Sequence, residues 1–360
     1  VTADGNPVLT RGDAKAAFAD AANVHEAVYD APYLSQAPME PPAAIARITE
    51  DGGCEAWACT QNPQAAQDTV AGTLGIDKEL VKVHVTLLGG GFGRKSKPDY
   101  VAEAAWLARE SGRPVKVTWT REDDIRHGYF HSVSAQYLKA GLDAEGNATS
   151  LLHRTCFPSI GSTFNPLAAG PGGFELDLGL LDNPYNFANM QLETADAKAH
   201  LRIGWLRSVC NVFHAFALSG FVDELAHIAG KDPKEYLLEM LGEPRQINPA
   251  DDGAEYGNYG HPLDTHPIDT GRLAAVVEKV ADMADWGRNL PDGRGLPLAE
   301  RPVGLDYGGV ADSHQDCEHG RCHDDFNQGE SAVFAAGILC SHRFCWLGFA
   351  GCCNHSGFVP

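Results

Sequence analysis

The run Val81-Lys-Val-His-Val-Thr-Leu-Leu-Gly-Gly-Gly-Phe-Gly-Arg94 carries an alternating apolar pattern straight into a glycine loop, and it constrains the fold more tightly than any other stretch. Val81, Val83 and Val85 share one face of a strand, which Leu87 continues. Gly89, Gly90, Gly91 and Gly93 then fall where the strand leaves its sheet. Glycine there permits positive φ and close approach, and successive N–H groups can face an anion or an oxo group. Two familiar glycine loops do not fit. A P-loop needs Gly-Lys-Ser/Thr after its four-residue spacer, and the chain offers Arg94-Lys95-Ser96. The dinucleotide fingerprint needs its third glycine one residue later and a helix opening at once, which Pro98 delays.

A second element supports a ligand other than those of these two loops. Thr60-Gln61-Asn62-Pro63 ends the apolar stretch Ala56-Trp57-Ala58 and opens a helix, with Asn62 as N-cap and Pro63 as first residue, running to Gly75. Gln61 thus sits at a strand-to-helix corner, where an uncharged amide can both donate and accept. On spacing alone a solvated turn glutamine is the favoured reading.

The remaining layout is mixed. Helices are expected at residues 12 to 22, 98 to 112, 211 to 230 (capped by Asn211) and 270 to 286, and strands at 43 to 59 (two), 80 to 88 and 115 to 120. Residues 132 to 142 and 148 to 157 read as a hairpin around Asp143-Ala-Glu-Gly146, and 158 to 189 as a long loop of the kind that forms lids and substrate walls. There is no regular βαβ repeat, so the fold class is α+β, with mixed sheets and packed helices. Three parts are expected: a first lobe over 1–130 with the glycine loop, a second over 131–295, and an atypical tail over 296–360. His84 is expected to face solvent, and His127 and His131 to be edge histidines rather than channel groups. Asp223 should be structural, and Tyr185 and Phe187 should anchor the long loop.

At 360 residues the chain has ample length for two or three compact units, and its net charge of −20 argues against nucleic acid and anionic membrane surfaces. No apolar run is long enough to span a bilayer and no signal peptide opens the chain. It starts without methionine in mid-pattern, as a fragment or processed form would.

Several motifs in order resemble one family. Gln61 in Thr-Gln-Asn-Pro, the loop at 89 to 93, Trp205-Leu-Arg207-Ser208-Val209, Phe213-His-Ala-Phe216 and Asp223-Glu-Leu-Ala226 resemble the molybdopterin-binding chains of the xanthine oxidase family, in the branch of the isoquinoline 1-oxidoreductase beta chain and the aldehyde oxidoreductases. Met39-Glu40-Pro41, Gly230-Lys-Asp-Pro233, Asn258-Tyr-Gly260 and Pro267-Ile-Asp-Thr-Gly271 agree in order, over about residues 10 to 295. The resemblance implies a molybdenum–pterin cofactor, molybdopterin or its cytosine dinucleotide form. Gln61 would bond an oxygen ligand of the metal. Gly90, Gly91, Phe92 and Gly93 would face metal and pterin, and Arg207, Ser208 and Val209 would form the opposite loop. Gln61 and Arg207 are the catalytic candidates, and no side chain is expected to ligate the metal directly. An aldehyde or N-heterocycle would be oxidised with oxygen from water, and electrons would leave to an iron–sulfur or cytochrome partner. The compartment is open between periplasm and cytoplasm.

The departures also carry meaning. Arg94, Lys95 and Ser96 stand where purine-oxidising relatives carry glycine, lysine and a substrate-binding glutamate, so a purine is not expected. Cys210 replaces a glycine and Ser219 a glutamate. The family's glutamate base lies in a Gly-Glu-Pro context near the C-terminus, whereas Gly242-Glu243-Pro244 reads as the end of a helix begun at Asp232-Pro233, with Glu235 completing a capping box. The chain alone is therefore expected to be inactive or severely impaired. Beyond residue 295 the resemblance lapses, and Cys317, Cys322, Cys340, Cys345, Cys352 and Cys353 cluster with histidines. A frame-shifted translation is the favoured reading. A disulfide-stapled tail and a zinc module are the others, and the last makes a non-catalytic zinc-binding or interaction protein the alternative function.

Overall fold

The computed structural model describes residues 3 to 290, except residue 166. The elements run β1 (Asn6–Arg11), α1 (Ala14–Asp20), β2 (Asn23–Ala31), β3 (Ala43–Ile48), β4 (Cys54–Ala58), α2 (Pro63–Leu74), β5 (Val81–Val85), α3 (Asp99–Ser111), β6 (Val115–Thr118) and α4 (Arg121–His127). They continue with β7 (Ser134–Leu142), β8 (Ala148–Cys156), α5 (Gly173–Leu176), β9 (Asn189–Ala195), α6 (Asn211–Ile228), α7 (Pro233–Leu241), β10 (Gln246–Ile247), β11 (Ile268–Asp269) and α8 (Thr270–Met283). Strands and helices mix in an α+β arrangement.

The smaller sheet has the order β5-β4-β3-β6, with β4 and β5 parallel and the other pairs antiparallel. Two helices cover one face of it. Val70, Ala71 and Leu74 of α2 and Val101, Ala104, Ala105 and Ala108 of α3 are buried with Ala44, Ala46, Ala56 and Ala58 of the strands. So many alanines bring helix and sheet backbones close together, which fixes the start of α2 relative to the end of β5. Asn62 caps α2 by accepting from Ala65 N, and Gly75 ends it in the left-handed region at φ 65°, as its sequence signals require.

The larger sheet has the order β1-β9-β8-β7-β2. The strands β1 and β2, drawn from the first 31 residues, pair with β9 and β7 respectively. Leu138, Leu151 and Leu192 of this sheet are buried with Leu218, Phe221 and Leu225 of α6 and Leu237 and Leu241 of α7. The β7–β8 turn forms as its residues dictate, with Asp143 accepting from the N–H groups of Glu145 and Asn147 and Gly146 at φ 82°.

Some sequence expectations need correction. β5 ends at Val85, and Leu87 does not continue its face but is 95% exposed. Asn211 is the first residue of α6 rather than its cap, since the cap position is Cys210 with no side-chain bond; the Asn211 amide instead donates to the Tyr259 hydroxyl. Asp232 caps α7 through two N–H groups without a reciprocal bond from Glu235. The expected loop-anchoring role does hold for Tyr185 and Phe187, both buried. Gly242 terminates α7 at φ 68°, as read for Gly242-Glu243-Pro244. The readings that concern residues 296 to 360 lie outside the described residues.

A neutral polar chain ties α6 to the larger sheet. His214 donates from Nδ1 to the Leu178 carbonyl (2.8 Å) and its Nε2 meets the Thr155 hydroxyl (2.9 Å), which also accepts from the Gln136 amide; the Gln136 oxygen in turn accepts from His153 Nε2. These partners assign both imidazoles as neutral. Burial lowers His214 to about 4 and pushes His153 well below the usual histidine range, the nearby His214 adding to that shift. A histidine whose folded-state value is depressed stabilises the fold above its unfolded value of about 6.5, and loses that contribution as pH falls toward 4, by about 3 kcal/mol for His214. Asp182, raised by burial to about 7, acts in the opposite sense over an overlapping window, so a single pH scan of the parent mixes the two. The comparison with His214→Gln isolates the histidine. Urea unfolding should show this substitution costing about 2–3 kcal/mol less at pH 4.5 than at pH 7. A cost independent of pH would mean that folding leaves the proton affinity of His214 unchanged.

Candidate functional site

Three segments far apart in sequence meet at the end of β5. Gln61 leaves β4 at the entrance to α2, and its Oε1 accepts from Gly93 N at 3.0 Å. Its backbone N–H, with the Thr60 hydroxyl, bonds the Lys95 carbonyl (3.0 and 3.1 Å). From the other side, Arg207 N donates to the Phe92 carbonyl at 2.9 Å. The glycine loop is thus clamped between Gln61 and the Arg207-Ser208-Val209 segment.

Glycine is required at two of these positions for separate reasons. A Cβ on Gly91 would lie 2.3 Å from Gln61 Oε1. One on Gly93, which sits at φ 98°, would lie 2.1 Å from the Trp205 carbonyl oxygen, a backbone atom with little freedom to retreat. Strain is concentrated here as well: Phe92 (φ 50°), Ser208 (φ 76°) and Val209 (φ 47°) are all left-handed without being glycine. Val209 is β-branched, and such backbone persists only where the surroundings enforce it. His131 supplies part of that enforcement by donating to the Val209 carbonyl at 2.9 Å. It is buried, not a strand-edge residue in water, and burial lowers its affinity for a proton.

The basic residues after the loop turn inward. Arg94 is 1% exposed, and its guanidinium pairs with both oxygens of Asp99 (3.0 and 3.1 Å) while it packs on the rings of Trp119 and Tyr129. Lys95, fully buried, reaches Glu40, which also accepts from Gly89 N (3.0 Å). Partial burial opposes ionisation of Glu40, but the Lys95 ammonium and the Gly89 N–H outweigh it and hold the carboxyl below its usual range. Lys97 is enclosed by Tyr129, Phe164 and Trp205 and donates to the Thr163 hydroxyl; desolvation lowers it to about 8. Gln36 bridges the Tyr129 and Trp205 carbonyls at 2.7 and 2.8 Å.

What the loop offers outward is a set of donors. Among the described residues, the N–H groups of Gly90, Gly91 and Phe92, the Gln61 Nε2 and the Arg207 guanidinium have no internal acceptor. Gln61 and Arg207 are exposed, and among the described residues no carboxylate pairs with them, Glu40 being held by Lys95 and Gly89. Uncharged N–H donors beside one arginine suit an electron-rich group bearing oxygen or sulfur.

Residues 2–238 match the family model described as the molybdopterin cofactor-binding domain. The chain belongs to that family. It is 28% identical to the beta chain of isoquinoline 1-oxidoreductase from Brevundimonas diminuta, over 85% of this chain and 35% of that protein. It is 32% identical to the B chain of nicotinate dehydrogenase from Pseudomonas putida, over 67% of this chain and 21% of that protein. The chain therefore spans about a third or less of the length of these relatives. Its fold is similar to the aldehyde oxidoreductase of Desulfovibrio gigas, with a TM-score of 0.58 at 20% identity over 78% of this chain and 30% of that one. Quinoline 2-oxidoreductase from Pseudomonas putida 86 also has a TM-score of 0.58, at 21% identity, covering 79% and 36%. The family's cofactor is a molybdenum–pterin group, and the outward donor set fits it.

All the residues singled out in sequence, Gln61, Gly90 to Gly93 and Arg207 to Val209, fall in this one region. Sequence reasoning did not single out Gln36, and it named His131, Arg94 and Lys95 without the supporting roles they have here. Gln36 carries no local pattern at all. For the two basic residues the acidic Glu40 and Asp99 are visible in sequence, but their pairing depends on the fold. The tight approach of Gly93 to Trp205 can be tested by substitution. Gly93→Ala should destabilise the chain by about 2–4 kcal/mol in urea unfolding, well above the change expected for an open left-handed glycine. The control is Gly112→Ala, at φ 63° with nothing near the added methyl. Equal losses at the two sites would contradict the packing described.

Proposed function

We propose that this chain forms the cofactor-facing part of a molybdenum hydroxylase that oxidises an aldehyde or an N-heterocycle with oxygen from water. The observation that supports this most directly is the pair of bonds Gln61 Oε1 to Gly93 N and Arg207 N to Phe92 O, which bring the three family motifs together. Gln61 would hold the cofactor by donating from Nε2, with its carbonyl end already committed to Gly93. The N–H groups of Gly90, Gly91 and Phe92 would line the opposite wall, and Arg207, Ser208 and Val209 would close the site. When bound, the cofactor supplies the two-electron oxidation. The residues supply orientation: a fixed amide at 61 cannot rotate without releasing Gly93, so its donor direction is set before the ligand arrives.

The relatives named for isoquinoline, nicotinate and aldehydes support this substrate range. An iron–sulfur protein, and in some enzymes a cytochrome, is the proposed electron acceptor. No described helix is long and apolar enough to cross a membrane. The alternative zinc-binding reading depends on cysteines and histidines outside the described residues, and no group of three or more metal-binding side chains occurs among the described ones.

Metal and pterin analysis after expression in a host that makes the cofactor tests the reading. The parent should carry molybdenum and pterin in equal amounts. Gln61→Ala should retain the fold by circular dichroism and lose most of the bound cofactor, a drop of about tenfold in affinity for one lost charge-assisted bond. Parent protein free of pterin, or full occupancy in Gln61→Ala, would overturn the assignment.

A further inference from the structure

A cavity of about 1080 Å³ lies between α6, α8 and the segments around residues 174–185 and 256–268, with Ser208 and Val209 on its wall. Its chemistry differs from that of the glycine loop. Two carboxylates, Asp177 and Asp182, and three phenol rings, Tyr185, Tyr256 and Tyr259, line it together with aliphatic side chains such as Leu218 and Val277. A third carboxylate on the wall, Asp269, is occupied in capping α8 through Arg272 N. Asp177 is 8% exposed; one of its oxygens accepts from Gly257 N at 2.7 Å, and the other is buried with no partner among the described residues. Asp182 accepts from Gly179 N at 2.7 Å. A buried carboxylate oxygen without a donor is costly, and such atoms are rare unless something absent completes them.

We propose that this cavity is a binding site for a small aromatic cation, a protonated or quaternary N-heterocycle, held by Asp177 and Asp182 and stacked among the tyrosines. The alternatives fit less well. A phosphate-bearing or other anionic ligand would meet the carboxylates. A purely apolar ligand would leave the Asp177 oxygen unsatisfied. A hard metal ion would need more ligands, and no three-residue metal-binding group exists among the described residues. Phenol rings and a carboxylate are, by contrast, the pair of features that recognises delocalised organic cations. Among the described residues the only Lys or Arg in the lining is Arg272, which is exposed, and His266 also lines the wall. Burial raises both carboxyls, Asp182 to about 7, and raises the Tyr256 phenol, with the two aspartates adding to the last shift. Each of these shifts follows first from burial, which disfavours the charged form. The volume is sufficient for a two-ring ligand.

The cavity shares Ser208 and Val209 with the proposed cofactor site, so binding is measured on the 360-residue chain without cofactor, following ligand fluorescence. The probe is 1-methylquinolinium, with 1-methylnaphthalene as neutral shape control and naphthalene-1-sulfonate as anionic control. One saturable site is expected for the cation, about tenfold or more tighter than for the neutral control, with no binding of the sulfonate. Asp177→Asn and Asp182→Asn should each weaken the cation about tenfold while leaving the neutral control unchanged. Tyr256→Leu should weaken the cation with both carboxylates intact, and thermal melts verify that each variant folds. Equal affinity for cation and neutral control, preference for the sulfonate, or cation binding unaffected by both aspartate variants would each overturn the proposal.

Discussion

The bond from Gly93 N–H to the Gln61 side chain is the interaction on which the arrangement of this site depends. It joins the first residues after β4 to a loop 32 positions later, and it works only because both surroundings are already rigid. The start of α2 is fixed by an Asn62 cap and a proline, and the far side of the loop is fixed by Arg207 N and the Trp205 carbonyl. Oε1 is thereby consumed inside the protein and Nε2 is turned outward. A neutral side chain becomes a directed donor, with no charge to desolvate when a ligand closes over it.

Beneath the loop lies a layer of paired ions. Arg94 with Asp99 and Asp124, and Lys95 with Glu40, are set where the chain turns from loop to helix, with both cations buried. A buried pair need not add stability relative to an apolar core, but breaking one is expensive, so such pairs restrict the loop to a single conformation. Left-handed Phe92, Ser208 and Val209 fit this picture: strain is tolerated at the loop because the ion pairs, His131 and Gln36 hold its flanks. Arg94 and Lys95 therefore have a structural explanation in this chain. They support the loop from behind rather than facing its ligand.

Much of this is legible in the amino-acid order because local chemistry decides it. The Asn62 and Gly75 caps, the Asp143–Gly146 turn and the Gly242 stop depend on residues within a few positions of one another. What is not legible depends on partners distant in sequence. The strand β2 alternates regularly in burial, but its exposed face carries Val24 and Val28 and its covered face carries His25, so the pattern is weak in sequence until β7 is beside it. Leu87 departs from its expected face because the valine alternation extends past the point where β5 loses its neighbour. His131 gives no sign of burial, since its role is set by a carbonyl 78 residues away. The glycine loop is conspicuous in the sequence, while the side chains that hold it in place are not.

The most direct test is amide hydrogen exchange at Gly93, followed by NMR in the parent chain and in Gln61→Leu, a variant of similar size without an acceptor. Gly93 should be protected in the parent and exchange at least about tenfold faster in the variant, with helix α3 unchanged. Unaltered exchange at Gly93 would mean that Gln61 does not hold the loop, and would contradict the clamped geometry on which the cofactor assignment rests.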